Sequence, residues 1–348
     1  MKKIIILFSI FLNFSFSQIN TKFIDAKLYP LEKTPYQINF VNNELLYSNN
    51  LNLDYTHSLL FNHKFDTLKV DSTLQKNEIN KVKFSIVTGS LLGIGIWFHF
   101  KQQNAWWKDK RGPFNIRDDW DYACQLDKIG HFYGGMITTK TVMECYYWTG
   151  LDRRSSLWIG AACGALWQTY VEVEDGFSKE WGFSPTDFLS DVLGAFYPVA
   201  QEYWDPLKAI NLKFSYLPSS DLKTGTWKRN RFVKKDTFID DYQGQMFWLT
   251  FNVNYFLPDK YKNYWPEWLQ IALGYGLSNW DGDEEYMGRH VTDRELWLSF
   301  DYDLEKLPGD GELLRLLKKL FNQFHLPAPA VRLTPSPIWY GLFFAHGL

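Results

Sequence analysis

Three stretches decide how this chain reads: Asp127-Lys128-Ile129-Gly130-His131-Phe132, Glu172-Val173-Glu174-Asp175-Gly176 and Asp187-Phe188-Leu189-Ser190-Asp191-Val192-Leu193-Gly194. Asp127 and His131 are four apart, Glu172 and Asp175 three, and Asp187 and Asp191 four, with Gly194 one turn later. Residues at these spacings share a helix face, so each stretch projects two ionisable groups the same way. Their neighbours are Gly, Ala, Leu, Ile, Trp and Phe, and that face is expected to point inward.

Asp127, His131, Glu172, Asp175, Asp187 and Asp191 are the residue types of an oxygen-and-imidazole metal site. They also form a general acid–base set, in which a carboxylate orients a histidine that titrates near neutral pH. A third reading is a buried network that pins helices together, because buried ionisable groups must be paired or neutralised. Lys128 is then the carboxylates' partner, and Gly194 marks a place where another helix passes close. The chain has no HExxH, GxSxG, phosphate-loop or Ser-His-Asp signature. Catalysis, ligand binding and a structural network therefore stay open. No cofactor is named, and a divalent metal is the one these residue types admit. Glu174 lies off the Glu172–Asp175 face and is expected to be solvated or capping.

Outward from these stretches, helices are expected near Asp118–Trp148, Ser155–Glu172 and Thr186–Trp204, with Ser155 and Ser184 as N-caps. Pro198 should bend or break the last of them. Gly160, Ala161, Gly164 and Ala165 favour close helix contact. A further apolar run, Lys83 to Phe100, is at the lower limit for a spanning helix. Within it Ser85, Gly89 and Gly93 follow the small-x-x-x-small spacing that lets helices approach.

After Pro206 the period changes from 3.6 to 2. Alternating strands run through Ile210–Tyr216, Phe247–Tyr255, Leu269–Leu277 and Leu296–Leu304, with a final apolar segment at Ile338–His346 and an amphipathic helix over 313–324. Strands of this kind suit a barrel wall facing lipid or a sheet whose apolar face packs on the helices. The expected fold class is α+β: an N-terminal bundle of about four apolar Gly/Ala-rich helices, then a C-terminal antiparallel β-sheet or small partial barrel.

The N-terminus supplies the compartment. Lys2 and Lys3 precede the apolar run Ile4–Leu12, and Ser15-Phe16-Ser17 offers the small residues a signal peptidase reads, so cleavage is expected before Gln18. No cysteine follows that cut directly, and lipid anchoring there is not expected. The organisation is a signal peptide over 1–17, an extended polar arm over 18–80, a helical bundle over 81–206 and a β region over 207–348. Aromatics at 18% and a hydrophobic fraction of 46% exclude wholesale disorder. A formal charge of −2 argues against nucleic acid as a partner. Sixteen Trp and twenty Tyr are unusually many; a soluble core could use them, and amphipathic rings also collect at membrane interfaces. Cys124, Cys145 and Cys163 lack metal spacing and read as small apolar core residues, with one disulfide left open. Lys228, Arg229, Arg231, Lys234 and Lys235 form a basic loop, either solvated or meeting an anionic headgroup.

Asp-Lys-x-x-His-Phe, then Glu-x-x-Asp-Gly, then Gly-Phe-Ser-x-x-Asp-x-x-x-Asp-x-x-Gly resembles the pattern of the DUF2279 family of YfiM-like predicted periplasmic proteins, over about Trp106 to Trp204. A looser likeness is to VanZ-like membrane proteins. One position departs from the family pattern, which has Asn where this chain has Asp191. The resemblance implies a helical fold and an exported location, and no particular reaction. The expectation is an exported cell-envelope protein of the outer membrane or periplasm. It would be a structural or assembly component, with membrane lipid and other envelope proteins as partners. The alternative is an envelope hydrolase or transferase, metal-dependent or not, acting on a lipid-linked or cell-wall substrate.

Overall fold

The computed structural model describes residues 78–108, 110–219, 238–280 and 292–340, together with the backbone of a small hairpin pairing Phe40–Val41 (β1) with Glu44–Leu45 (β2). The signal segment, the rest of the arm, the basic loop and the last residues of the final strand lie outside them. The hairpin belongs to one unit, Met1–Asn77, and everything else to a second, Glu78–Leu348. The helical and β regions thus share one unit.

Helix α1 (Lys81–Gln102) starts at Asn80, whose side chain accepts from the Lys83 backbone N–H. It packs through Phe84 on Tyr146 and bonds through His99 to Tyr170. Val82, Ile86, Ile94, Trp97 and Phe100 on it are exposed. It is long and apolar enough to cross a membrane. Among the described residues no close approach is made at Gly89 or Gly93, where an added Cβ would have no atom within 4 Å.

Helices α2 (Leu126–Trp148), α3 (Arg153–Gly176) and α4 (Pro185–Tyr203) pack against one another. Glycine sets their spacing. A side chain at Gly194 would run into the Phe132 carbonyl, one at Gly135 into the Asp191 carbonyl, and one at Gly160 into the Thr139 carbonyl. Backbone-to-backbone contact of this kind admits only Gly. Two boundaries differ from the sequence reading. Asp152, not Ser155, caps α3, accepting from the Ser155 N–H at 3.0 Å. Residues 118–125 do not belong to the α-helix as expected: Tyr122–Gln125 forms a separate 3-10 turn, set off from α2 by left-handed backbone angles at Ala123, Cys124 and Gln125 (φ 46°, 51° and 66°). Pro198 does not end α4. Burial of the neighbouring Val199 against Met143, Leu157 and Ala161 holds the turn that the proline weakens.

The second layer is an open antiparallel meander in the order β3-β4-β5-β6-β7-β8: Ile210–Tyr216, Gln245–Asn252, Leu269–Ser278, Asp293–Tyr302, Ala330–Arg332 and Ile338–Tyr340. β7 is too short to carry an alternation and was not legible in the sequence. β4 stops at Asn252, where Val253–Phe256 turns helical, and α5 (Glu312–Phe321) is shorter than expected.

Register exposes an inversion. Leu212, Leu249, Leu273, Leu298, Val331 and Trp339 align across all six strands, and Ile210, Phe251, Ile271 and Phe300 align beside them. Leu249, Leu273, Leu298, Phe300 and Trp339 in these rows are exposed. The opposite face carries Lys213, Trp248, Thr250, Gln270, Glu295, Trp297 and Asp301, all buried. Gly274 leaves the space that the Trp248 ring and Trp297 fill from either side. The segment after α5 covers this inner face. Gln323 and His325 hydrogen-bond the free edge of β3 at Phe214, His325 stacks on Trp248, and Pro329 accepts from Phe300 in β6. Among the described residues the helices meet one end of the apolar face, where Tyr133 packs on Phe214 and Phe247, Leu212 joins the same cluster, and the Tyr275 hydroxyl bonds the Cys124 carbonyl.

Candidate functional site

Where α2, α3 and α4 touch, the three quoted stretches meet. The i, i+4 spacing puts Asp127 and His131 on one face of α2, and the glycine contacts bring α3 and α4 to that face. His131 is the centre. Its Nδ1 lies 3.0 Å from Asp191 Oδ1 and 3.7 Å from Glu172 Oε1, and its Nε2 lies 3.8 Å from both Asp127 Oδ1 and Asp187 Oδ1. Glu172, Asp187 and Asp191 are buried, while the His131 side chain keeps 21% of its surface exposed. The Lys128 ammonium sits among Asp119 (2.7 Å), Asp127 (3.0 Å) and Asp187 (2.5 Å).

Other groups fix the carboxylates. The Ser184 backbone N–H donates to Glu172 Oε2 at 3.1 Å, and Gln168 donates to Asp191 Oδ1 at 2.7 Å. Tyr242, preceding β4, donates to Asp127, and the Ser184 hydroxyl donates to Asp119. Ser184 also caps α4, accepting from the Asp187 N–H with Pro185 at the first helical position. Sequence reasoning missed Asp119, Gln168 and Tyr242 as members. Gln168 was findable, being one turn before Glu172 on α3. Asp119 arrives only through the left-handed turn at Ala123–Gln125, and Tyr242 comes from a distant part of the chain.

Two acidic residues are placed differently. Asp175 turns from His131 to accept from the Trp107 indole at 2.6 Å, so it flanks the cluster and does not join its contacts. Glu174 is neither solvated nor capping. It is buried and ion-paired with Arg111, because the segment before α2 folds over that side of α3. The three cysteines carry free thiols.

Five carboxyl groups, from Asp119, Asp127, Glu172, Asp187 and Asp191, thus face two cationic side chains. Burial opposes a charge on His131, but Asp191, Asp187 and Asp127 outweigh it and hold the imidazole pKa well above its ordinary value. Burial likewise opposes charge on Lys128, and Asp127 and Asp187 outweigh it, raising the ammonium. Burial pushes Glu172 up to about 9 and Asp187 up to about 8, the second also raised by Asp127. Asp191 is raised by burial against the pull of His131 and Gln168. Asp127 goes the other way, because His131, Lys128 and the Tyr242 hydrogen bond outweigh its burial. Burial and mutual repulsion thus raise three of these carboxyl groups, while the two cations lower Asp127. Two trios have metal-ligand spacing: Asp127, His131 and Asp187, and His131, Glu172 and Asp191.

The fold and site define a class: a glycine-packed helical unit with a buried acidic–histidine cluster, backed by a curled sheet that is apolar outside and polar inside. Residues 118–201 match the model of the DUF2279 family, described as a predicted periplasmic lipoprotein. That span holds every member of the cluster except Tyr242, and the description agrees with export to the cell envelope. No curated protein and no solved structure matches the chain.

Proposed function

We propose that this protein is a component of the cell envelope, of the outer membrane in particular, that docks on membrane lipid through the outer face of its sheet. The row Leu212–Leu249–Leu273–Leu298–Val331–Trp339 carries the reading, meeting the helices at Leu212 and exposed at Leu249, Leu273, Leu298 and Trp339. Six strands at about 4.8 Å spacing make it roughly 24 Å wide. Water-facing sheets place polar residues outside and apolar ones inside, whereas a wall against lipid does the reverse. The two outward rows described above contain no charge, Arg294 stands at the far end of the same face beside Leu277, and Lys213, Glu295 and Asp301 point inward. The exposed apolar side of α1 supports the same partner.

The test is flotation of the full-length chain with phospholipid vesicles, together with separation of inner and outer membranes on a density gradient. The wild type should float and sediment with outer membranes. Leu273→Asp with Leu298→Asp should lower vesicle binding by about tenfold or more, since a charge on a lipid-facing strand costs roughly 2–4 kcal/mol at depth. Equal flotation of the double variant, or full recovery of wild type in a detergent-free soluble extract, would overturn the reading.

A further inference from the structure

His131 is shared by two trios of ligating atoms, and within each the atoms lie within 4.8 Å of one another. Donors bound to one ion at about 2.0–2.2 Å need only a modest closure from that spacing. The two sides of the ring differ in what already occupies them. On the Nε2 side the Lys128 ammonium lies against both Asp127 and Asp187, so a metal ion there would meet a like charge. On the Nδ1 side no lysine or arginine contacts Glu172 or Asp191 among the described residues.

Each carboxylate on that side has one oxygen held and one to offer. Glu172 Oε2 takes the Ser184 N–H, leaving Oε1 toward His131. Asp191 Oδ1 takes Gln168 and His131, and among the described residues Oδ2 has no hydrogen-bond partner although the residue is only 1% exposed. Buried carboxylate oxygens are rarely left so, because the lost solvation is not recovered.

We propose that His131 Nδ1, Glu172 Oε1 and the Asp191 carboxylate form a binding site for a divalent first-row transition cation such as Mn²⁺ or Zn²⁺. One imidazole with two carboxylates suits these ions better than Mg²⁺ or Ca²⁺, which favour all-oxygen shells. In the loaded state the ring carries its N–H at Nε2, facing Asp127 and Asp187. A carboxylate behind a ligating histidine fixes the ring and its tautomer. Lys128 holds these two carboxylates in place.

The experiment uses the full-length chain, purified in detergent, stripped with chelator and titrated with Mn²⁺ by electron paramagnetic resonance and with Zn²⁺ by calorimetry. One equivalent should bind. Glu172→Gln and Asp191→Asn should each weaken binding about 100-fold or more, whereas Asp127→Asn, acting through the ring, should weaken it about tenfold. Circular dichroism melting of the metal-free variants accompanies the titrations, and whichever of Glu172→Gln and Asp191→Asn melts like wild type decides the case. Absence of binding up to ~1 mM would overturn the assignment. So would wild-type affinity in the folded variant, or a greater loss for Asp127→Asn than for Glu172→Gln.

Discussion

Inside the curled sheet, the Lys213 ammonium lies 3.1 Å from Asp301, donates to the Tyr302 carbonyl at 2.8 Å, and has His325 beside the same carboxylate at 3.4 Å. In the helical bundle, five carboxyl groups share Lys128 and His131. The first cluster sets one carboxylate against an ammonium and an imidazole, and all three side chains are buried, with His325 stacked on Trp248. The second has an excess of acid and one partly exposed ring. Balanced, sealed polar clusters specify packing, and they are costly to break because the surviving charge has no water. An unbalanced and partly open cluster stores electrostatic work that a cation can release. The same contrast appears in their acidities. Asp301 is lowered by His325 and Lys213 in spite of its burial, whereas Glu172, Asp187 and Asp191 are raised.

The comparison breaks first if the sheet cluster is not a closed pair. Lys213→Met leaves Asp301 buried without its cation, and should cost about 3–5 kcal/mol in urea unfolding. Lys213→Met combined with Asp301→Leu should recover most of that loss. A single variant within ~1 kcal/mol of wild type would show that Asp301 does not depend on Lys213.

Next in size is the contact that assembles the second cluster. Gly194→Ala places a methyl against the Phe132 carbonyl and should cost about 3 kcal/mol, because backbone cannot step aside as a side chain can. Gly89→Ala, at a position with open space, should be neutral or stabilising by the usual helix preference for Ala. Equal effects at the two sites would refute the close approach.

The smallest effect sharpens the charge argument. Glu172, Asp187 and Asp175 have folded pKa values of about 9, 8 and 7, each above its unfolded value. Between those limits the folded chain holds protons that the unfolded chain has lost, so stability falls as pH rises. For metal-free protein the melting temperature at pH 9 should lie about 2–4 °C or more below that at pH 6. Asp175→Asn keeps an acceptor for Trp107 and should remove part of the slope between about pH 4 and 7, the interval between its unfolded and folded pKa values. A melting temperature that rises with pH over this range would contradict the excess of acid.

Much of this molecule is written in local periodicity. Asp127 with His131, and Asp187 with Asp191, share faces because four residues are close to one helical turn. The four long strands were legible because side chains alternate every residue. The capping of α4 by Ser184-Pro185 is equally local. Three things were decided only by tertiary structure. Asp119 and Tyr242 reach the cluster through a left-handed turn and a distant loop, neither of which has a periodic signature. Asp175 shares its helix face with Glu172 but is claimed by Trp107, and Glu174 is buried by Arg111 from a segment outside the helices. The sheet's apolar rows were plain in the sequence, but not the fact that α2 covers only the end at Phe214 and Phe247 and leaves Leu249, Leu273 and Leu298 bare. A period tells which residues share a face; what that face meets is set by how the layers pack, and that is where the energy of burial is settled.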